Sequence, residues 1–231
     1  ITGNLAPSKG QHEAIEATAI LNKKGYETEL CVIGRSGDPQ FSKQIDELIL
    51  KHNLQYKVHL VGYQTNALAY VSLADACIMA SRKEAFGRVT FEYLATAKAV
   101  VGANSGATPE MVKEGVNGYL YKFGDVKSLA RAIEHYAKCR DLVVKHGKAS
   151  QEIAQAMMAG SQNIDALYKK VSSIVGKKVN RINTHINYLE YQNTQLTDYR
   201  KQVRSTERLH KRIKRQLYLG AKKIYVHVRT A

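Results

Sequence analysis

Apolar and polar positions along the 231-residue chain follow two periods in alternation. Short runs rich in branched and apolar residues predict strands: "TELCVIG" (28–34), "YKVHLVG" (56–62), "ACIMAS" (76–81), "KAVVGAN" (98–104) and "GYLYKF" (118–123), most of them ending at or beside Gly, Ser or Asn. Between them, residues 10–24, 40–53, 65–74, 87–97 and 125–138 read as amphipathic helices, the first with Ala14, Ala17 and Leu21 on one face. Strands that alternate with helices of these lengths predict an α/β fold, a Rossmann-like parallel sheet with helices on both faces. The chain opens with Ile1, in what reads as the last residues of a strand, so it reads as an excised piece. It contains no internal repeat and no low-complexity segment.

Beyond about residue 176 the pattern changes, dividing the chain into a domain over 1–176 and a basic helical extension over 177–231. Ile182, Ile186, Leu189, Leu196 and Val203 fall at heptad spacing, with Asn193 at the missing apolar position. Farther on, Leu209, Ile213 and Leu217 form one stripe in a strongly basic stretch. The extension fits a solvated helix packed on its own domain or a neighbour, a coiled coil for self-association, or a basic helix on an anionic membrane surface.

Charge supports the division. Of the formal net charge of +15, residues 177–231 hold 14 Lys and Arg against 3 Asp and Glu, leaving 21 against 17 before them. The first domain is therefore nearly balanced, and nucleic acid is disfavoured as a partner, since the basic segment carries no reading motif and no aromatic stacking platform. No apolar run reaches the roughly 18 residues that a transmembrane helix needs. Cys31, Cys77 and Cys139 are widely spaced and read as small buried hydrophobes. Their odd number and lack of a Cys/His cluster favour a reducing compartment and no structural metal.

In such sheets the ligand-binding loops lie at the carboxyl ends of strands. Those positions hold "GNLAPSKG" (3–10), "GRSGD" (34–38), "GYQTN" (62–66), "SRKEAFG" (81–87) and "NSGATPE" (104–110). In the opening segment, Gly3 and a Pro-Ser pair lead into Lys9, Gly10 and a helix, which would aim backbone N–H groups and one lysine at an anion. Taken alone, Ser8 serves equally as a helix N-cap and Lys9 as a solvated first-turn lysine.

Glu84 and Glu92 carry more. Glu84 precedes a helix start at "FGR", whose free N–H groups and dipole favour negative charge, and Glu92 falls on that helix's second turn. Carboxylates are poor ligands for phosphate but strong acceptors for sugar hydroxyls. The arrangement suggests a diphosphate flanked by two polyols, as in a nucleotide sugar. The same two residues also fit a loop glutamate favouring the helix dipole and a surface glutamate.

The ordered series "GNLAPSKG", "CVIGRSGD", "VHLVGY", "LADACIMAS", "EAFGRVTFE" and "AVVGANSGATPEMVKEGVNGYLY" resembles the carboxyl-terminal half of a GT-B family-4 glycosyltransferase, from about residue 1 to about residue 174. The E-x7-E motif is Glu84 to Glu92, followed by the "SGATPE" loop and the "GVNGYL" hairpin in family order. The resemblance implies a nucleotide-sugar donor, UDP-linked in preference to GDP-linked, transfer with retention at the anomeric carbon, and no bound metal or permanently bound cofactor. It implies that Gly3, Asn4 and Lys9 border the donor, with Lys9 on the diphosphate and, with Glu84, at the catalytic centre. Glu84 would lie near the transferred sugar and Glu92 would hold the ribose hydroxyls. Backbone amides around Phe86, Gly87 and Arg88 would hold the phosphates and sugar, and Tyr63 would lie near the base. The acceptor, a glycan or glycolipid, would bind the other half, absent here, so this piece would bind donor and turn over little or nothing. Assembly on the cytoplasmic side, at the inner membrane face, is the corresponding location.

The chain departs from the family pattern at Asn4, where many members carry Arg, which leaves Arg88 or Lys83 as replacement cations. It departs again at Ala97 and Ala99, which replace Gly and Pro. Three other function classes fit parts of the sequence: a non-catalytic interaction module that has lost nucleotide binding, a sugar-nucleotide epimerase of the same fold, and a nucleic-acid binder acting through 177–231.

Overall fold

The computed structural model describes residues 1–159. Five strands, β1 (Leu30–Ile33), β2 (Val58–Gly62), β3 (Ala76–Met79), β4 (Ala99–Ala103) and β5 (Gly118–Tyr121), alternate with seven helices. These are α1 (Gln11–Lys23), α2 (Pro39–Lys51), α3 (Ala67–Leu73), α4 (Arg88–Ala95), α5 (Thr108–Met111), α6 (Val126–Lys138) and α7 (Arg140–Ala159), and a 3-10 turn over Pro7–Lys9 precedes α1. All strand pairs are parallel, as the Rossmann-like reading requires: β1 with β2, and β3, β4 and β5 in that order.

The strands are shorter than the apolar runs because residues at one or both ends of each run lie in the loops. The opening segment contributes isolated parallel bridges, Thr2 to Ile33 and Leu5 to Ser36, rather than a full strand, so the ladder reads as two parallel sheets. The "GVNGYL" segment is a turn closed by Gly115 N–H to the Gly118 carbonyl at 2.9 Å, leading into β5, rather than a two-stranded hairpin. The heptad positions and basic stripe of 177–231 lie outside the described residues.

Strand side chains alternate between faces, and the core follows. Ile78 of β3, Ala99, Val101 and Ala103 of β4 and Tyr121 of β5 pack with Ala14, Leu21, Ile45 and Leu129 from α1, α2 and α6. The intervening Cys77, Met79 and Val100 pack with Tyr93 and Leu94 of α4, Met111 of α5 and Ala154 of α7. Helices therefore cover both faces. Each fully buried Leu, Ile or Val contributes roughly 1.5–3 kcal/mol relative to exposure. The Tyr93 hydroxyl accepts from Thr2 N–H at 2.7 Å, tying the opening segment to α4.

Of the three cysteines, Cys77 is buried, and that burial pushes its thiol up to about 11. Cys31 is half-buried. Cys139 is exposed where α6 ends, contrary to the expectation that it is a core residue. Among the described residues, no helix is long and apolar enough to cross a membrane.

Candidate functional site

The loops that follow β1, β2, β3 and β4 share one rim with the opening segment, and backbone hydrogen bonds knit them together. Leu5 N–H donates to the Arg35 carbonyl at 2.8 Å, and Gly34 N–H to the Gly62 carbonyl at 2.9 Å. Arg82 N–H donates to the Ser8 carbonyl at 2.8 Å, and Ala107 N–H to the Glu84 carbonyl at 2.8 Å. The Ser105 hydroxyl donates to the carbonyls of Ser81 and Arg82, at 3.0 and 2.8 Å. Gly106 (φ 55) lies so close beneath Glu84 that a Cβ there would overlap the Glu84 backbone. The loop carrying Glu84 is thus braced from the "SGATPE" loop.

Helix starts after the strands are of two kinds. The side chains of Asp38, Asn66 and Asp125 cap α2, α3 and α6, satisfying orphan amides. Helices α1 and α4 begin after left-handed glycines, Gly10 (φ 65) and Gly87 (φ 73), with no side-chain cap. The first-turn amides of α4 are left open to a ligand, with the positive end of the helix dipole behind them. The buried Thr90 hydroxyl in this turn also has no partner. Ser8 does not cap α1. It lies inside the 3-10 turn, where its carbonyl receives Arg82.

Among the sequence candidates, Lys9 and Glu84 come together, Nζ to Oε2 at 3.0 Å, both partly shielded from solvent. Glu92 lies on α4, and burial pushes its carboxyl up, opposed by the nearby Arg88 guanidinium, whose Nε is 3.9 Å away. No ion pair or hydrogen bond links the two pairs among the described residues. Phe86, at 71% exposure, projects into solvent before Gly87. Arg88, the replacement cation considered for Asn4, faces Glu92 and solvent.

Gly3 and Asn4 sit at the β1 edge. The Gly3 N–H donates to the Ile33 carbonyl at 2.8 Å, and Asn4 Oδ1 accepts from Arg35 N–H at 3.4 Å. Tyr63 lies under the Arg35 guanidinium, 4.2 Å from ring centroid to Cζ, a cation–π contact. Sequence reasoning named the Arg35 loop without Arg35 itself. An Arg directly after the Gly that ends a strand, beside a neutral Asn4, was the available signal. It also passed over Gln11, a buried polar residue opening α1. Chemically, the rim offers uncapped amides and one lysine for an anion, and two carboxylates for hydroxyl donors.

The family model "Glycosyl transferases group 1" matches residues 1–153. The capsular polysaccharide biosynthesis glycosyltransferase CapM of Staphylococcus aureus is 28% identical over 132 residues, 57% of this chain and 34% of that protein. The crystal structure of HepE from Anabaena in complex with UDP is 26% identical with a TM-score of 0.66, covering 73% of this chain and 48% of that one. The same protein with UDP-glucose gives 26% and 0.65, over 73% and 48%. The carboxyl-terminal domain of a group 1 family glycosyl transferase (LpcC) from Francisella tularensis shares the fold, at 24% identity and a TM-score of 0.63, over 68% of this chain and 82% of that domain. The chain thus spans about a third of the curated CapM and about half of HepE.

Proposed function

The chain belongs to the group 1 glycosyl transferases, and from that premise we propose that residues 1–176 are the donor-binding half of a two-domain, retaining glycosyltransferase whose donor is a UDP-linked sugar. The observation that carries this reading is the uncapped start of α4 with the Lys9–Glu84 pair before it and Glu92 one turn inside it. A diphosphate fits the amides and Lys9. The polyols on either side of it fit the two carboxylates. The UDP and UDP-glucose complexes of HepE support a uridine donor over a guanosine one.

In the reaction the anomeric C–O bond to the diphosphate breaks, UDP leaves, and an acceptor hydroxyl oxygen takes its place on the same face of the sugar, its proton passing to the leaving diphosphate. Negative charge develops on the leaving diphosphate, so preset donors do most of the work. Lys9 and the amides around Phe86, Gly87 and Arg88 supply them, with Gly3 and Asn4 at the edge of that anion site. Glu84 orients the transferred sugar through its hydroxyls rather than attacking it. Glu92 holds the ribose, Tyr63 borders the base, and no metal is assigned a part.

A glycan or lipid-linked acceptor would bind the other half of the enzyme, leaving residues 1–231 able to bind donor with little or no turnover. The capsular polysaccharide role printed for CapM supports this acceptor class. We assign 177–231 to peripheral contact with an anionic membrane face on the cytoplasmic side, or to self-association, on its charge and heptad spacing. Calorimetric titration with UDP, GDP, UDP-glucose and GDP-mannose tests the donor reading. Binding of the uridine ligands in preference supports it. A wild-type chain that binds none of the four overturns it.

A further inference from the structure

We propose that Gln11 is a positioning residue for the leaving group: it sets the peptide between Gly3 and Asn4 so that the Asn4 backbone N–H is aimed at the donor diphosphate. The inference rests on the donor-binding reading above.

Gln11 is the first residue of α1, a place where a long polar side chain ordinarily reaches solvent, yet it is 1% exposed. A buried primary amide is costly unless its donors and acceptor are used. Its amide spends them on one loop. Nε2 donates to the carbonyls of Asn4 at 3.0 Å and Gly3 at 3.4 Å, and Oε1 accepts from Ala6 N–H at 3.4 Å. None of these bonds goes to a strand or to the core.

The described backbone holds no cis peptide, so the carbonyl and N–H of each peptide point in opposite directions. With the Gly3 carbonyl drawn to Gln11, the Asn4 N–H is turned away from it. Gly34 closes the other side: at φ 156 it packs against the Gly3 carbonyl so tightly that a Cβ would overlap that oxygen. The amides on either side of Asn4 are used, Gly3 N–H on the Ile33 carbonyl and Leu5 N–H on the Arg35 carbonyl, each at 2.8 Å. The Asn4 N–H alone of the three has no protein acceptor among the described residues. Because the Asn4 side chain is neutral, what this loop offers an anion is that N–H together with Lys9. A donor fixed before the charge develops needs no reorganisation during bond breaking.

The test titrates uridine, UMP and UDP into the full chain and into a Gln11→Met variant, which keeps the volume and deletes the hydrogen bonds. Uridine affinity should stay within about twofold, while UDP affinity falls about tenfold, the loss of one charge-assisted hydrogen bond. An unchanged UDP affinity, or equal losses for uridine and UDP as a general loosening would give, overturns the proposal while leaving the donor reading intact. A wild-type chain that binds no UDP overturns both. If the variant does not fold, the Asn4 amide of the isotope-labelled wild-type chain decides. A downfield shift with UDP but not uridine supports the assignment, and an unmoved resonance refutes it.

Discussion

Lys9 Nζ lies 3.0 Å from Glu84 Oε2, so residues 75 positions apart join the segment before α1 to the loop after β3 by opposite charges. Each neutralises the other at the place where a diphosphate is proposed to bind.

An incoming diphosphate then competes with Glu84 for the lysine. Lys9→Ala should lower UDP affinity about tenfold or more, the scale of a lost charge-assisted contact. Glu84→Gln should raise UDP affinity by no more than about fivefold, because a partly exposed ion pair is worth only about 0.2–1 kcal/mol. The same Glu84→Gln change should weaken UDP-glucose relative to UDP. Calorimetry on the three chains checks this, and equal losses from both substitutions would contradict it.

Glu92 is proposed to hold the ribose, so discrimination between UDP and 2′-deoxy-UDP should depend on it. Glu92→Gln should cut that ratio by about tenfold, one hydrogen bond to a charged acceptor. Burial, opposed by Arg88, raises the Glu92 carboxyl above its ordinary 4.5. On acidification it takes up its proton at a higher pH than an ordinary glutamate, and the ribose-dependent part of the affinity should fade there. Titration of both nucleotides across pH 4 to 8 measures the midpoint, which should disappear in the Gln variant.

The strands and longer helices were legible because most of their buried residues are apolar and keep periods of two and about 3.6. Helix α7 was not. Its inward stripe includes His146, Gly147 and Ser150 as well as Ala154, all buried, so small and polar residues interrupt the apolar period that burial shows. The four residues of α5 are too few to show any period. Glu84, Glu92 and Lys9 could be singled out because each sits beside a glycine-marked helix start. That Lys9 pairs with Glu84, and Arg35 with Tyr63, could not be read, since both depend on which loops the parallel strands bring to one rim.

The brace between the loops after β3 and β4 gives a test away from the charged groups. Gly106 has φ 55, and a Cβ there would overlap the backbone of Glu84. Gly106→Val must displace the Glu84 loop and also adopt a backbone region that β-branched residues avoid, at a cost of about 1–3 kcal/mol. UDP-glucose affinity and the melting temperature should both fall. Gly37→Ala, where a Cβ meets nothing within 4 Å, should leave both unchanged.

Acid stability should report on α7. His146 is 1% exposed, with Nδ1 2.9 Å from the Tyr136 hydroxyl. Burial, helped by Lys145, lowers its pKa below the ordinary 6.5, outweighing Gly115 and Glu114. The folded chain thus prefers neutral imidazole, and between the lowered value and 6.5 the unfolded chain binds more protons. Stability rises with pH wherever that holds. The contribution is fully present above about pH 6.5, the ordinary histidine value, and is lost as pH falls through the window below it. Protonation also makes both ring nitrogens donors, so the Tyr136 hydroxyl can then only accept from Nδ1. Urea unfolding from pH 7.5 down to 5 should show a slope that His146→Gln flattens, at the expense of lower stability at pH 7.5. A variant whose slope matches wild type would move the effect to another group.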